Sequence, residues 1–374
     1  MGDQPTVRIL GTHGVPANYG GFETAAENVA RHLVTRGWRV IVYCQIEGVG
    51  NLYEDVWEGI ERVNIPIPNN GWVGTSRFDL LSIKHATHFN DVCLTFGYNT
   101  AIFNTWQRLN KVPNVINMDG IEWSRARWGK FRQAILYVNE RIACHVGNTL
   151  IADHPDIRTY LLTRAPDRKI ETITYGAHPV GEVGDAACAT YDLTPGKYLT
   201  LIARPIPENS ILEIVQGFTR RRRDVDLVVL GNYDPANDDY HAAVMNAAND
   251  RVRFPGGIYE PDVVQQIRFN ALGYLHGHTV GGTNPSLVEA LAAGNPVIAQ
   301  DNAYNRWVAG DAALYFDDAA GVDEHLTRII DDPNLAAHLS AAATKRHNEE
   351  FTWEHVAGQY EEVLRRYVKR PGRR

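Results

Sequence analysis

The segment His276–Asp301, HGHTVGGTNPSLVEALAAGNPVIAQD, holds the spacing with the most chemical content in the chain. Gly277, Gly281 and Gly282 precede Asn284-Pro285-Ser286, a helix start with asparagine as cap and proline at the first helical position. A glycine loop entering a helix leaves N–H groups unpaired at the positive end of the helix dipole, which suits a phosphate, a carboxylate or sugar hydroxyls. Glu289 falls one turn above Pro285, where a carboxylate can accept hydrogen bonds from hydroxyls. Arg204 follows an apolar run, the place for the fixed cation that a diphosphate needs. Asp119 ends another apolar run, Val115–Met118. Taken locally, each also fits a plainer role: a strand-to-helix turn with a solvated Glu289, a surface ion pair at Arg204, an Asx-turn of Asp119 with Gly120. WSRARWGKFR (Trp123–Arg132) interleaves aromatic and cationic side chains. It fits anionic lipid head groups, an acceptor diphosphate or a solvated basic loop. His276 and His278 have no third ligand nearby, which argues against a metal site. The chain has no G-x-S-x-G, H-E-x-x-H or Walker A motif.

Such residues need a scaffold that collects strand ends, and the hydrophobic pattern supplies one. Val7–Leu10 reads as a strand, Gly11–Gly21 as a long loop, and Phe22–Arg36 as a helix with Ala26, Val29, Ala30 and Leu33 on one face. Val40–Tyr43 is the next strand, giving the β-loop-α-β opening of a parallel sheet. Gly14, Gly20 and Gly21 miss the G-x-G-x-x-G spacing, and the loop is too long for a dinucleotide turn. Further strands are predicted at 62–67, 92–96, 115–118, 149–152 and 170–174, with helices at 77–89 and 131–146. The weakly patterned stretch 176–196 reads as a linker. A second series of strands follows at 198–202, 226–230, 252–254, 272–275 and 297–299, and 336–367 is mostly helical. The fold class is α/β, two Rossmann-like parallel-sheet domains facing across a cleft, with ligands at the carboxyl ends of the strands.

Composition narrows the class. A chain of 374 residues suits two domains. A net charge of −7 and a pI near 6.1 argue against a dedicated nucleic-acid binder. Cys44, Cys93, Cys144 and Cys188 lie far apart, as free thiols of a reducing cytosol do. No apolar run reaches the roughly 18 residues of a membrane span, and no signal peptide is evident. A soluble, cytoplasmic protein is expected, with peripheral contact to the inner face of a membrane left open.

The full set resembles a glycosyltransferase of the GT-B fold, in the large retaining family four. The matching pieces are Asn18-Tyr19-Gly20-Gly21-Phe22-Glu23, Ala203-Arg204, Gly281–Glu289 running on through Ala290–Val297, and Phe351-Thr352-Trp353-Glu354. GTHGVPANYGGFET, NMDGIEWSRARWGK and GHTVGGTNPSLVEAL are most similar to a subgroup labelled rhamnosyltransferase-like, associated with bacterial surface-polysaccharide assembly. The resemblance implies an acceptor domain over 1–178, a nucleotide-sugar domain over 195–350 and a helix over 351–374 that returns to the first domain. It implies that Gly20 and Gly21 approach the donor diphosphate and that Arg204 binds it. Glu289 would hold the nucleotide ribose, while Gly282, Thr283 and Asn284 bind the donor sugar. Asp119 stands near the family's histidine and would face the reacting sugar; Tyr19, Glu122 and Arg125 are the acceptor-side candidates.

This sequence departs from the family pattern at three places. Gly281 replaces the first glutamate of Glu-x7-Glu, Asn209 replaces a lysine, and Asp119-Gly120 replaces the histidine. Asn209 and His278 are kept as donor-side candidates, with His278 offering the polar group that a glycine at 281 does not. No metal or other cofactor is expected; the nucleoside-diphosphate sugar is a co-substrate, and the acceptor is a glycan or lipid-linked hydroxyl. The rivals are a sugar-nucleotide epimerase or hydrolase on the same scaffold, and a non-catalytic nucleotide-binding partner subunit.

Overall fold

The structure is a computed structural model and describes residues 4–17, 20–68, 71–125, 128–181 and 183–368. The chain forms two compact units, Met1–Tyr175 with Trp353–Arg374, and Gly176–Thr352. No helix among the described residues is long and apolar enough to cross a membrane.

Unit 1 is built on strands β1 (Thr6–Leu10), β2 (Arg39–Glu47), β3 (Tyr53–Trp57), β4 (Ile60–Ile67), β5 (Val92–Phe96), β6 (Asn114–Asn117), β7 (Thr149–Ala152) and β8 (Ile170–Thr172). They lie in the order β3-β4-β2-β1-β5-β6-β7-β8. Strands buried on both faces show in the packing: Val40 and Val42 join one core, Ile41 and Tyr43 the other. Pairing is parallel except between β3 and β4, a hairpin that the apolar pattern alone does not reveal. Its turn, Glu58-Gly59, has φ of 47° and 81°, the left-handed pair that a two-residue hairpin requires. A glutamate where Asn or Asp usually stands hid the signal.

The helix Trp353–Arg365 belongs to unit 1. Val356, Ala357, Tyr360, Val363 and Leu364 recur at helical spacing and pack with the helix Gly21–Thr35 and strands β1, β2 and β5. Burial at roughly 1.5–3 kcal/mol per large side chain outweighs anything its surface ion pairs add. One polar cluster locks its register. Glu361 accepts from Trp38 Nε1 at 3.2 Å and from Arg365 Nε at 3.0 Å, and lies 3.0 Å from His32 Nε2. Burial by itself would push this carboxyl up; the Trp38, Arg365 and His32 contacts overcome that and hold it below its ordinary value.

Unit 2 carries β9 (Tyr198–Ile202), β10 (Asp226–Leu230), β11 (Val252–Gly256), β12 (Gly273–His276), β13 (Val297–Gln300) and β14 (Ala313–Phe316), all parallel, in the order β11-β10-β9-β12-β13-β14. The stretch 176–196, which reads as a linker, is packed instead. Ala187, Cys188 and Leu193 join a core with Tyr198, Val228 and Ile267, and Ala177 bridges to Thr352. Its scattered glycines and prolines obscured a short helix, Ala186–Thr190.

A depressed carboxylate stabilises the fold above its unfolded pKa, and that contribution fades as pH falls through the lower, folded value. Glu361→Gln should therefore lower stability by about 2 kcal/mol at neutral pH. The gap to the parent should close in acid, read as converging melting temperatures below about pH 4.

Candidate functional site

Two loops at the carboxyl edge of the unit 2 sheet make the core of the site. β9 ends at Ile202, and the chain passes Arg204 into a 3₁₀ turn, Pro207–Asn209, before the helix Ile211–Thr219. Arg204 is exposed. Its carbonyl accepts from the Ile206 N–H and from Asn209 Nδ2, both at 2.8 Å. Asn209 is buried, and its amide N–H donates inside the turn. Asn209 shapes the loop that presents Arg204.

β12 is the hydrogen-bonded neighbour of β9 and exits beside that turn. A Cβ on Gly277 would lie 2.0 Å from the Asn209 carbonyl oxygen, so only glycine lets the two backbones meet. Thr279 closes the junction, its N–H and its hydroxyl both donating to the Glu208 carbonyl at 2.9 Å. From the β13 side, Asn302 and Asn305 each donate to the His278 carbonyl at 2.9 Å. Tyr274 Oη donates to the Ile202 carbonyl at 3.2 Å, fastening β12 to the end of β9. His276 is buried and stacks on His278 at 4.5 Å. Burial first, then the neighbouring His278, holds His276 well below the ordinary imidazole range, so it is neutral at pH 7. Among the described residues no group of three or more His, Cys, Asp or Glu is placed to hold a metal ion.

Gly281 has φ of 140°, a conformation that side chains rarely adopt, and so the loop itself is shaped for glycine. Gly282 and a buried Thr283 lead to Asn284. Asn284 Oδ1 accepts from the Ser286 N–H at 3.1 Å and its hydroxyl at 2.9 Å, capping the helix Pro285–Ala292. Glu289 pairs with the buried Arg268 at 2.8 Å while 38% of its side chain stays accessible, a carboxylate oriented from behind.

In unit 1, Gly20 (φ 87°) caps the helix that Gly21 opens. That helix folds the preceding loop onto its own carboxylates: Glu23 accepts the His13 N–H at 2.9 Å, and Glu27 the Ala17 N–H at 2.7 Å. Tyr19 lies outside the described residues. Asp119 follows β6, half-buried, with φ of 52° in the left-handed region. Asn117 Oδ1 accepts the Asp119 N–H at 2.9 Å, and Asn117 Nδ2 donates to Tyr360 Oη at 2.7 Å. The strained turn is thus braced by the last helix.

The acceptor-side candidates Glu122 and Arg125 lie together. Glu122 is buried, pairs with Arg125 at 2.6 Å and accepts from Trp128 Nε1 at 3.2 Å. The carboxylate and the guanidinium serve each other. Trp123 turns its indole N–H inward, 2.9 Å from Glu140 and 3.1 Å from Tyr160 Oη. Sequence reasoning missed Arg268, Asn117 and Tyr360. Arg268 carried one usable sign, an arginine beside Ile267 on the inward stripe of the helix Pro261–Phe269.

Residues 4–178 match a family described as a domain of unknown function, DUF1972, and residues 212–362 a family described as glycosyl transferase-like. Among solved structures, a sucrose-phosphate synthase from Thermosynechococcus elongatus is 18% identical with TM-score 0.80, covering 97% of this chain and 98% of that one. Anabaena HepE in complex with UDP and glucose is 15% identical with TM-score 0.76, covering 97% and 100%. The alpha,alpha-trehalose-phosphate synthase (UDP-forming) from Burkholderia xenovorans in complex with glucose-6-phosphate is 12% identical with TM-score 0.72, covering 96% and 100%. No curated protein matches by sequence. The fold is GT-B. Within that fold, residues 212–362 are similar to a glycosyl transferase-like domain.

Gly277→Ala must separate the β9 and β12 loops or strain both, since the obstructing atom is backbone. The variant should lose about 1–3 kcal/mol of stability, and amide exchange should quicken over 204–210 as well as around 277. An unchanged exchange pattern at 204–210 would refute the junction.

Proposed function

We propose that this chain transfers a sugar from a nucleoside-diphosphate donor to a hydroxyl of a glycan or lipid-linked acceptor. The anomeric configuration is retained, and the product feeds cell-surface polysaccharide. The observation that carries the reading is the junction of the β9 and β12 loops. It sets Arg204 and the glycine loop into the helix Pro285–Ala292 at one edge of one sheet.

The leaving group is a diphosphate, and lowering its cost means meeting growing negative charge with fixed positive charge and N–H groups. Arg204 supplies the first; the amides of Gly282–Asn284 and the helix start supply the second. Glu289, steadied by Arg268, accepts from the ribose hydroxyls. His278 takes the polar role that Gly281, with no side chain, does not fill. Asp119, held by Asn117, orients the acceptor hydroxyl or stabilises an oxocarbenium-like centre. The complexes of HepE with UDP and of the UDP-forming synthase make UDP the first nucleotide to try. The rhamnosyltransferase-like resemblance makes a deoxyhexose the first sugar after glucose. Peripheral contact with a membrane completes the reading for a lipid-linked acceptor.

The test is a thermal-shift titration with nucleoside diphosphates, then sugar nucleotides. UDP at 100 times its Kd should stabilise the protein by about 2.7 kcal/mol. Arg204→Met should weaken that binding by roughly 10-fold to 100-fold, the worth of a charge-assisted contact to phosphate. Silence with every nucleoside diphosphate would leave the non-catalytic partner subunit. A donor converted with no acceptor present would point to the epimerase or hydrolase.

A further inference from the structure

Three helices of unit 1, Trp72–Ala86, Asn104–Leu109 and Lys130–Val146, pack side by side, and their outer surface is not that of an ordinary solvated layer. Phe131 is 78% exposed, Leu109 76%, Val138 53%, and Ile102 and Trp106 48% each. Two contacts link the elements that carry them. Asn139 Oδ1 accepts the Ile102 N–H at 2.8 Å, which brings the turn carrying Ile102 against the helix carrying Val138. Lys84 Nζ sits 6.0 Å from the Trp106 ring centre, joining the first helix to the second. Along Lys130–Val146, exposed Phe131, Ala134 and Val138 recur at helical spacing, a second apolar stripe opposite the buried one of Leu136, Ala143 and Cys144.

Charge on the same helices is one-sided. They carry Arg77, Lys84, Arg108, Lys130, Arg132 and Arg141 against two carboxylates, Asp79 and Glu140. Glu140 is 1% exposed and takes up the hydrogen bonds of Trp123 and Tyr160; Asp79 is half-buried and accepts from Thr100 Oγ1 at 2.8 Å. No exposed carboxylate therefore offsets the cations on these helices, in a chain whose net charge is −7.

We propose that this face docks the protein on an anionic lipid bilayer. Exposed apolar side chains on the same helices as long cationic ones suit the interfacial region, where rings and aliphatic groups enter the acyl boundary and ammonium and guanidinium groups meet lipid phosphates. A second copy of the chain is the poorer occupant, because these helices brought against themselves would set cations against cations with no exposed carboxylate of their own between them. The proposal rests on the membrane contact named under Proposed function and gives it a surface. It does not depend on the transfer reaction, so nucleotide binding stands or falls separately.

The whole protein is sedimented with phosphatidylcholine vesicles, with and without phosphatidylglycerol. Binding should require the anionic lipid and weaken as salt is raised. Arg108→Glu with Lys130→Glu should lower partitioning to anionic vesicles by about fivefold or more per residue changed. Leu109→Ser with Phe131→Ser should release the protein from the anionic vesicles. Melting temperature and far-ultraviolet circular dichroism verify that each variant is folded, and sedimentation velocity reports the oligomeric state without lipid. Wild-type protein left in the supernatant with anionic vesicles overturns the proposal, as do folded variants that bind like the parent. A dimer dispersed by Leu109→Ser with Phe131→Ser assigns the face to a second copy and overturns it too.

Discussion

The tightest glycine position among the described residues is Gly277 against the Asn209 carbonyl, where no side chain fits. Adjacent parallel strands always bring their carboxyl ends near one another, but nothing in a sheet obliges the loops beyond them to touch. Here they do, backbone on backbone, and the Thr279 bonds to Glu208 make the contact specific. Arg204 is thereby referred to the same rigid frame as the glycine loop. A cation on a wandering loop loses much of its electrostatic advantage to reorganisation; one fixed by its neighbours' backbones does not.

A comparable economy governs Asp119. Its left-handed backbone costs free energy in isolation, and the Asn117 side chain, anchored on Tyr360, offsets that cost with a buried bond. Tyr360 itself is fully buried among Phe96 and the β5 core, so the brace is as stiff as the hydrophobic interior behind it. Packing energy, gathered by apolar residues of no chemical interest, is what holds the one polar geometry in place.

The sequence made the alternation of strands and helices legible, because period-two and period-3.6 apolar patterns leave little doubt over runs such as Val92–Phe96 or Lys130–Val146. It also exposed Arg204, Gly281 and Asn284, whose residue types advertise themselves at strand ends. It did not disclose which polar groups point inward. Asn209, Glu122 and Trp123 look in sequence like contacts for a ligand, and each has an internal partner that spacing does not reveal. That distinction depends on rotamer and burial, which spacing does not encode. Arg268 and Tyr360 were hidden for the converse reason: each is remote in sequence from the residue it supports.

Unit 1 is interrupted: its final helix is encoded after the whole of Gly176–Thr352. A ribosome therefore delivers eight strands of one sheet long before it delivers the side chains that cover one side of them. Until Val356, Tyr360 and Leu364 emerge, the apolar surface of the helix Gly21–Thr35 and strands β1, β2 and β5 stays partly uncovered, while unit 2 has everything it needs. The usual order of birth is reversed, with the later-made half finishing first. A nascent chain cut short anywhere before residue 353 is thus marked by a bare core at its beginning, a signature that chaperones and proteases can read.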